Sequence, residues 1–162
     1  MSEQDRTPAE QARTPADRVR DLLEHVNEAL ELEADVEVLE DGDRIRGILH
    51  GDDMGLFIGR HGQTIDAVQH LAFKVAAHGQ SAAPKVEVDA AGYRDRRRQA
   101  LERQADQAAS DALRSSRPVA LDAMSATERK VVHEYLKDRG DVETYSEGTE
   151  PDRHLVVAPL SA

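Results

Sequence analysis

The sequence predicts an α+β protein made of two small folded units. Its 162 residues are 39% hydrophobic and 33% charged, a composition that suits one ordinary domain or two small ones. Hydrophobic residues recur at helical spacing in some segments and alternate in others, so both helices and strands are expected. Between two groups of such segments, residues 93–115 contain neither glycine nor proline, which predicts a long helix that joins the units.

The composition also narrows the class of protein. The chain has no cysteine, which excludes disulfides and thiolate metal sites. Its apolar runs are only a few residues long, and its N-terminus lacks the basic and apolar regions of a signal peptide. We therefore expect a cytoplasmic protein that is not inserted into a membrane.

The first expected element is a helix that follows a tail. Residues 1–15 are acidic, poor in apolar side chains and interrupted by proline, which predicts a disordered acidic tail. Thr14 is suited to cap a helix in which Pro15 holds the first position. Apolar residues then recur at helical spacing and predict a helix over about residues 16–33; they are Val19, Leu22, Leu23, Val26 and Leu30.

The next elements complete the first unit, residues 16–91. Residues 36–39 and 44–49 alternate around an Asp41-Gly42 turn signal and predict a β-hairpin. A helix, a tight loop and a second helix follow, and the second helix should bury one face formed by Ile65, Val68, Leu71, Ala72 and Val75. Gly79 ends that helix, and residues 85–89 alternate as a strand. The expected order of elements is α-β-β-α-α-β.

The remaining chain forms a linking helix and a second unit. Residues 92–117 are assigned to the basic linking helix, whose apolar face comprises Leu101, Ala105, Ala108 and Ala112, and Pro118 ends it. Residues 118–160 form a small α/β unit with an extended segment at 119–121, a helix at about 125–137, and strands near 142–145 and 155–157. Ser125 and Glu128 have the spacing of a capping box at the start of that helix.

The loop between the paired helices of the first unit has phosphate-binding chemistry. Gly59 and Gly62 allow positive φ angles and close approach of another backbone. Arg60 supplies a cation at the tip, and the His61 side chain can donate a further hydrogen bond. The next helix begins at about Gln63, so its N-terminal N–H groups also attract phosphate. A Gly-x-x-Gly alone is more often a structural turn than a binding site.

The surroundings of this loop resemble those of a known RNA-binding module. Ile58 precedes the first glycine and Ile65 lies three residues after the second, so the pattern is apolar-Gly-x-x-Gly-x-x-apolar. With the order of elements above, this resembles the type II KH domain, whose loop clamps the backbone of single-stranded RNA. The resemblance implies that residues 58–63 and Ile65 bind RNA, and that bases lie in an apolar groove. The 3% aromatic content is consistent with binding that does not need base stacking.

A second motif lies on the helix of the second unit. Arg129 and His133 are four residues apart and share one helical face, which taken alone is typical of a solvated surface. Residues 128–133 and 142–153, however, resemble the R-x-x-x-H domain, a module that binds single-stranded nucleic acid. That resemblance implies RNA-binding roles for Arg129, Lys130 and His133.

The two motifs in this order make the chain similar to the Jag family, also called SpoIIIJ-associated or KhpB proteins. The similarity covers about residues 17–159. It implies a single-stranded RNA-binding protein in post-transcriptional control of cell elongation or division. It also implies pairing with a small stand-alone KH protein, or homodimerisation. Many members carry a further N-terminal Jag domain, and this chain has a short acidic stretch in its place.

The charge distribution supports a nucleic-acid partner despite a formal net charge of −11. Residues 1–40 hold twelve acidic and four basic residues, whereas residues 91–118 hold four acidic and seven basic ones. The linking helix could therefore extend a phosphate-binding surface through Arg94, Arg96, Arg97, Arg98 and Arg103, with Arg153 as a further basic residue. Equally, these arginines could pair with Asp95 and Glu102 along the helix.

Two other classes of function are an enzyme and a protein-interaction adaptor. An enzyme is disfavoured because the sequence contains none of the common metal, phosphate-loop or nucleophile motifs, so no catalytic residue, metal or cofactor is predicted. The second alternative is a protein-interaction adaptor, pairing KH domains or assisting ribosome assembly with little RNA contact. A degenerate KH domain could lose Gly59, Gly62 or the loop cation, and all three are present.

Overall fold

The computed structural model describes residues 13–160, and the chain divides into two compact units. The first unit ends at Tyr93 and the second begins at Arg94. Most of the predicted tail, residues 1–12, lies outside the described residues. Each unit has its own sheet and its own apolar core, so the predicted α+β class is confirmed.

The first unit contains the predicted α-β-β-α-α-β order. Its elements are α1 (Pro15–Ala29), β1 (Asp35–Asp41), β2 (Arg44–His50), α2 (Gly55–Ile58), a 3-10 turn (Arg60–Gly62), α3 (Gln63–Ala77) and β3 (Lys85–Ala90). The sheet has the order β1-β2-β3, in which β2 pairs antiparallel with β1 and parallel with β3. Gly42 adopts φ 58° at the hairpin turn, which accounts for the Asp-Gly signal.

The core of the first unit lies between the sheet and the helices. Its largest fully buried side chains are Leu23, Ile45, Leu49, Phe57, Ile65 and Val88. Gly47 on β2 allows α1 to approach the sheet closely, since a Cβ at this position would overlap the side chain of Leu23. The loop that follows α2 is therefore built on a well-packed support.

Helix α1 begins as predicted and ends earlier. The Thr14 side chain accepts from the Asp17 amide at 3.1 Å, and the Asp17 carboxylate accepts from the Thr14 amide at 3.0 Å, so the two residues form a capping box. The helix ends at Ala29 instead of residue 33. Glu31 has φ 53°, a left-handed conformation that an α-helix cannot contain, and this turn sends the chain towards β1.

Helix α3 buries a narrower face than the sequence predicts. Ile65, Val68, Ala72 and Ala76 form its buried stripe. Leu71, which the helical pattern assigns to the core face, is 50% exposed. The spacing of three to four residues along the observed stripe leaves position 71 at its edge, where it faces solvent.

The second unit combines the long helix with a small sheet. Its elements are α4 (Tyr93–Ser115, of which Arg94 onwards belongs to this unit), β4 (Val119–Ala120), α5 (Ala126–Leu136), β5 (Val142–Glu147) and β6 (His154–Pro159). The sheet has the order β4-β6-β5, and both pairings are antiparallel. In the described part of the chain, no helix is long and apolar enough to cross a membrane.

Helix α4 is an integral part of the second core as well as a connection. Leu101, Ala105, Ala108 and Ala112 are buried, as the helical pattern predicts. Except for Ala112, these residues pack in one cluster with apolar side chains of α5, β5 and β6, including Val132, Leu136, Val142, Leu155 and Val157. The small alanines allow close packing, and we therefore describe α4 from Arg94 onwards together with the second unit.

Candidate nucleic-acid interface

The glycine loop of the first unit has a backbone that ordinary residues adopt poorly. Gly59 has φ 73° and ψ 177°, a combination that is essentially restricted to glycine. His61 has φ 53° and Gly62 has φ 75°, so three of four consecutive residues have positive φ. The Gly62 amide donates to the Gly59 carbonyl at 3.3 Å and closes the turn. The sequence therefore needs its two glycines here for backbone reasons.

The space around both glycines is also restricted. A Cβ at Gly59 would overlap the Thr64 side chain and lie 2.9 Å from the Thr64 nitrogen. A Cβ at Gly62 would lie 2.6 Å from the Tyr93 hydroxyl oxygen. Tyr93 thus packs closely against the loop at Gly62, a role that the sequence does not reveal because Tyr93 lies 31 residues away.

The exposed tip of this loop is positively polarised. Arg60 and His61 are exposed, as is Gln63 at the first position of α3. Gly62 is the N-cap of α3 and has no side chain with which to cap it, and the Gln63 amide donates to the Arg60 carbonyl. The dipole of α3 adds a partial positive charge at this end of the helix. A ligand in solvent can thus contact the three polar side chains at the start of α3.

The two isoleucines of the motif have different positions. Ile58 is partly buried and packs against the core. Ile65 has no exposed surface, which corrects its predicted role: it anchors α3 below the loop and offers nothing for RNA to touch. On the two helices that flank the loop, the exposed large apolar side chains are Leu56 on α2 (61% exposed) and Leu71 on α3 (50% exposed). Sequence periodicity alone placed Leu71 in the core, and Leu56 carried no separate signal.

The second unit has a groove that contains the other predicted motif. Its volume is about 420 Å³, and it lies between α5 and the strand β5. The predicted residues Arg129, Lys130, His133 and Arg153 line it together with Thr144, Tyr145, Ser146, Ala126 and Leu155. The lining residues thus include four that carry or can gain a positive charge and none that is acidic. This is an anion-attracting groove in an acidic chain.

Arg129 is a largely buried residue of the groove that bonds to two segments of the chain. The residue is 8% exposed, and its guanidinium donates to the carbonyl of Met124 at 2.7 Å and to the Glu150 carboxylate at 2.8 Å. A longer bond of 3.5 Å reaches the Arg153 carbonyl. Arg129 therefore joins the start of α5 to the β5–β6 loop, and much of its charge is already compensated. Arg129 thus positions the groove, and its predicted role as an RNA contact stays a prediction.

The exposed basic groups of this groove are Lys130, His133 and Arg153. His133 shares a hydrogen bond of 2.5 Å between its Nδ1 and the Thr144 hydroxyl, which fixes the imidazole beside β5. Arg153 donates to the Gly148 carbonyl at 2.8 Å and is partly exposed. Lys130 is exposed on the same helix as His133. These three side chains are therefore the more accessible basic groups of a groove that Arg129 also lines.

Glu134 is an acidic residue of α5 whose pKa is lowered by nearby basic side chains. A hydrogen bond from Lys137 holds the pKa of Glu134 below its ordinary value, and the positive charges of His133 and Lys130 add to this effect. Glu134 is exposed and is not among the residues that line the groove. The lining of the groove is thus free of acidic side chains, and the Glu134 carboxylate accepts a hydrogen bond from Lys137.

Some arginines of α4 form ion pairs within the second unit, and others are exposed. Arg97 donates to Glu128 at 2.6 Å, and its side chain is 24% exposed. Glu128 also completes the predicted capping box with Ser125, so this pair fixes the start of α5. Arg98 pairs with Asp95 and Glu102, as one of the two alternatives predicts. Arg94 is partly buried, whereas Arg96 and Arg103 are exposed.

Comparison with known proteins agrees with this division into two domains. The family model described as the KhpA/KhpB KH domain matches residues 16–89. A second model, that of the R-x-x-x-H domain, matches residues 99–159. The first match contains the glycine loop, and the second contains Arg129, His133 and the groove around them.

Several relatives match much of the chain. The chain is 36% identical over 129 residues to the RNA-binding protein KhpB of Clostridium symbiosum, covering 80% of this chain and 58% of that protein. It is 31% identical over 128 residues to the RNA-binding protein KhpB of Bacillus subtilis, covering 78% and 62%. For the protein of the same name from Lactiplantibacillus plantarum, the identity is 40% over 104 residues, covering 64% and 32%. The chain thus spans between about a third and three fifths of the length of these relatives.

Three independent observations therefore converge on one family. The order of elements in the first unit and the geometry of its loop are those expected of a type II KH domain. Both domain models match in the expected order along the chain. The chain belongs to the KhpB family, also called Jag, in which a KH domain precedes an R-x-x-x-H domain.

Proposed function

We propose that this chain binds single-stranded RNA in the cytoplasm, with the glycine loop gripping the phosphodiester backbone. The observation that carries this proposal is the exposed Arg60-His61 tip on a turn whose φ angles require glycine, directly before the uncapped start of α3. Such a tip combines two cationic or hydrogen-bonding side chains with the start of a helix, and Gly59 and Gly62 permit the tight turn that presents these side chains to solvent. Relatives of the same family are named as RNA-binding proteins.

The groove of the second unit provides the second contact in this proposal. Lys130, His133 and Arg153 would attract phosphate, while Arg129 keeps the β5–β6 loop in place. Two modest sites on one chain raise the effective concentration of RNA at each other, so neither needs high affinity. Partnership with a small stand-alone KH protein or a second copy, and a role in post-transcriptional control of cell elongation or division, complete the proposal.

The loop is tested by reversing its charge in the full chain. Arg60→Asp/His61→Asp should weaken binding to a single-stranded RNA of mixed sequence by at least about tenfold, because attraction to phosphate becomes repulsion. Aspartate tolerates the left-handed φ of His61 better than most residues, so the fold should survive. Affinity is measured by fluorescence anisotropy at fixed salt, with circular dichroism as the check on folding.

A matched control makes the same charge change elsewhere in the first unit. Arg44 on β2 and His25 on α1 are suitable, because both residues are exposed. Arg44→Asp/His25→Asp should leave affinity within about twofold, since the added charges lie away from the loop. Equal loss in both double variants would mean that only net charge matters. Retention of full affinity by the folded loop variant would favour the adaptor function.

A further inference from the structure

The groove of the second unit is bounded on one side by the edge of a sheet. Because β5 is the last strand in the order β4-β6-β5, one side of its backbone has no strand partner in the described part of the chain. The groove is lined along this edge by Thr144, Tyr145 and Ser146. The backbone of β5 therefore belongs to the groove surface as much as the side chains of α5 do.

The pairing pattern identifies which backbone groups face outwards. In an antiparallel pair, opposite residues alternate between those that exchange hydrogen bonds and those that do not. The Leu160 amide donates to the Asp141 carbonyl at 2.9 Å, so this opposite pair is hydrogen-bonded. Every second pair after it is bonded as well, so Tyr145 exchanges hydrogen bonds with Val156. Thr144 and Ser146 lie between bonded pairs, and their N–H and C=O groups point away from β6.

The position of Pro159 agrees with this alternation of bonded and non-bonded pairs. Pro159 on β6 has no N–H and stands opposite Val142, which by the same count belongs to a non-bonded pair. Val142, Thr144 and Ser146 therefore share one orientation of their backbone groups, and Glu143 and Tyr145 have the other. The outward groups that lie within the groove are those of Thr144 and Ser146.

The edge strand of the first unit differs in this respect. The Val88 amide on β3 donates to the side chain of Gln69 at 3.0 Å, so that edge position is occupied from within the protein. Among the described residues, no intramolecular hydrogen bond occupies the outward amides of Thr144 and Ser146. Instead, the His133 imidazole is fixed next to this edge by its bond to the Thr144 hydroxyl.

We propose that the outward N–H and C=O groups of Thr144 and Ser146 read the hydrogen-bonding edge of one unpaired nucleobase. This inference rests on the proposed RNA-binding function and assigns a part of the groove to the base. In an extended strand, the N–H and C=O of one residue point the same way, side by side. Each nucleobase presents an adjacent donor and acceptor on its Watson–Crick edge, and in a duplex that edge is already paired.

The charge of the groove favours a nucleotide over an extended peptide. A peptide could also pair with an open strand edge, but its neutral backbone would gain nothing from Lys130, His133 and Arg153. A nucleotide uses both features, since its phosphate lies near the cations while its base reaches the strand. The groove volume of about 420 Å³ also suits a small, flat group.

The direct test follows the backbone amides of the full chain by NMR. On addition of a short single-stranded RNA of mixed sequence, the amides of Thr144 and Ser146 should shift and exchange with solvent severalfold more slowly. Those of Glu143 and Tyr145, which already bond to β6, should keep their protection. The same RNA as a duplex should leave all four unchanged.

A proline substitution provides the second measurement. Ser146→Pro removes the outward N–H without removing a bond to β6, and proline is tolerated at such edge positions. It should weaken binding by roughly three- to tenfold, the effect of one hydrogen bond. Ser146→Ala, which keeps the N–H and removes the hydroxyl, should bind like the wild type.

The outcomes separate this inference from the function on which it rests. If the chain binds no RNA, the proposed function fails and the inference fails with it. If RNA shifts the amides of Gly59 to Gly62 while those of Thr144 and Ser146 stay unchanged, only the inference is overturned. Protection of the edge by a short Val-Thr repeat peptide, and not by RNA, would also overturn it and indicate strand addition by a protein.

Discussion

The two units build their candidate sites by opposite means. In the first unit, the site depends on backbone conformation: Gly59 and Gly62 shape the loop, and the side chains of Arg60 and His61 extend into solvent. In the second unit, the groove depends on side chains held by polar contacts, above all the largely buried Arg129. The first site should therefore fail when a Cβ is added, and the second when a hydrogen-bond donor is removed.

The two sites also differ in whether their basic side chains are exposed or already paired with carboxylates. At the loop tip the cations are exposed and can respond to a ligand, whereas Arg97 and Arg129 are engaged with Glu128 and Glu150. Ion pairs of this kind fix the geometry of the groove and leave only part of its positive charge for a ligand. Counting arginines in a sequence thus overstates the phosphate-binding capacity of the second unit.

The largest expected effect comes from removing Arg129. Arg129→Met keeps the aliphatic stem but leaves the Met124 and Arg153 carbonyls without this donor, and it should destabilise the second unit by about 2–3 kcal/mol. Glu150, whose side chain is 61% exposed, can be solvated and adds little to the loss. Hydrogen exchange measured by mass spectrometry reports the opening of each unit separately.

The adjacent residue supplies the control for this change. Lys130→Met alters the same helix at an exposed position and should leave the protection of the second unit unchanged. It should nevertheless weaken RNA binding, because Lys130 retains a charge that is available to phosphate. If Arg129→Met proved as stable as Lys130→Met, the positioning role of Arg129 would have to be abandoned.

A loss of stability of similar size is expected at the glycine loop. Gly59→Ala combines a backbone conformation that only glycine adopts readily with overlap against Thr64, and it should cost about 2–3 kcal/mol of unfolding free energy. Gly79→Ala is the matched change, because Gly79 has φ 72° but open space around it. It should cost about 1 kcal/mol. Urea denaturation of the first unit compares them, and equal costs would show that the contact with Thr64 is easily relieved.

Local signals in the sequence were sufficient for most elements. Interactions within a few residues determine the ends of α4, the Ser125-Glu128 capping box and the Asp41-Gly42 hairpin. Their patterns can therefore be recognised in the sequence alone. The loop Gly59–Gly62 was recognisable for the same reason. Its glycine requirement arises from φ angles within the turn itself.

The features that the sequence did not reveal depend on contacts between distant residues. Tyr93 packs against Gly62 across 31 positions, and Arg129 contacts Arg153 across 24. Arginine is usually exposed, so nothing in the pattern around Arg129 indicates burial. Leu71 is exposed although the helical pattern assigns it to the same buried face as Ile65, because the buried stripe of α3 is set by the elements against which the helix packs. Helical periodicity fixes the spacing of a face but not its width.

The smallest expected effect concerns the two capping boxes, which differ in their surroundings. Ser125-Glu128 is reinforced by Arg97, whereas Thr14-Asp17 begins a helix at an exposed position. A backbone hydrogen bond from Thr14, followed by the bond to its side chain, lowers the pKa of Asp17 below its ordinary value of 3.8. Because this pKa is depressed in the folded state, the stabilisation is present above pH 3.8 and is lost as the pH falls through the folded-state value.

Substitution of Asp17 should therefore remove a pH-dependent part of the stability of the first unit. Asp17→Asn should lower the urea midpoint slightly at neutral pH, and the difference from wild type should shrink as the pH falls below 3.8. Glu24→Gln, an exposed change on the same helix, is the control. A difference between wild type and Asp17→Asn that stayed constant through this range would mean that the ionised carboxylate is not what stabilises the cap. Because asparagine keeps a neutral oxygen that can accept the bond from the Thr14 amide, the constant difference would then come from the side-chain NH2 group that replaces the second carboxylate oxygen.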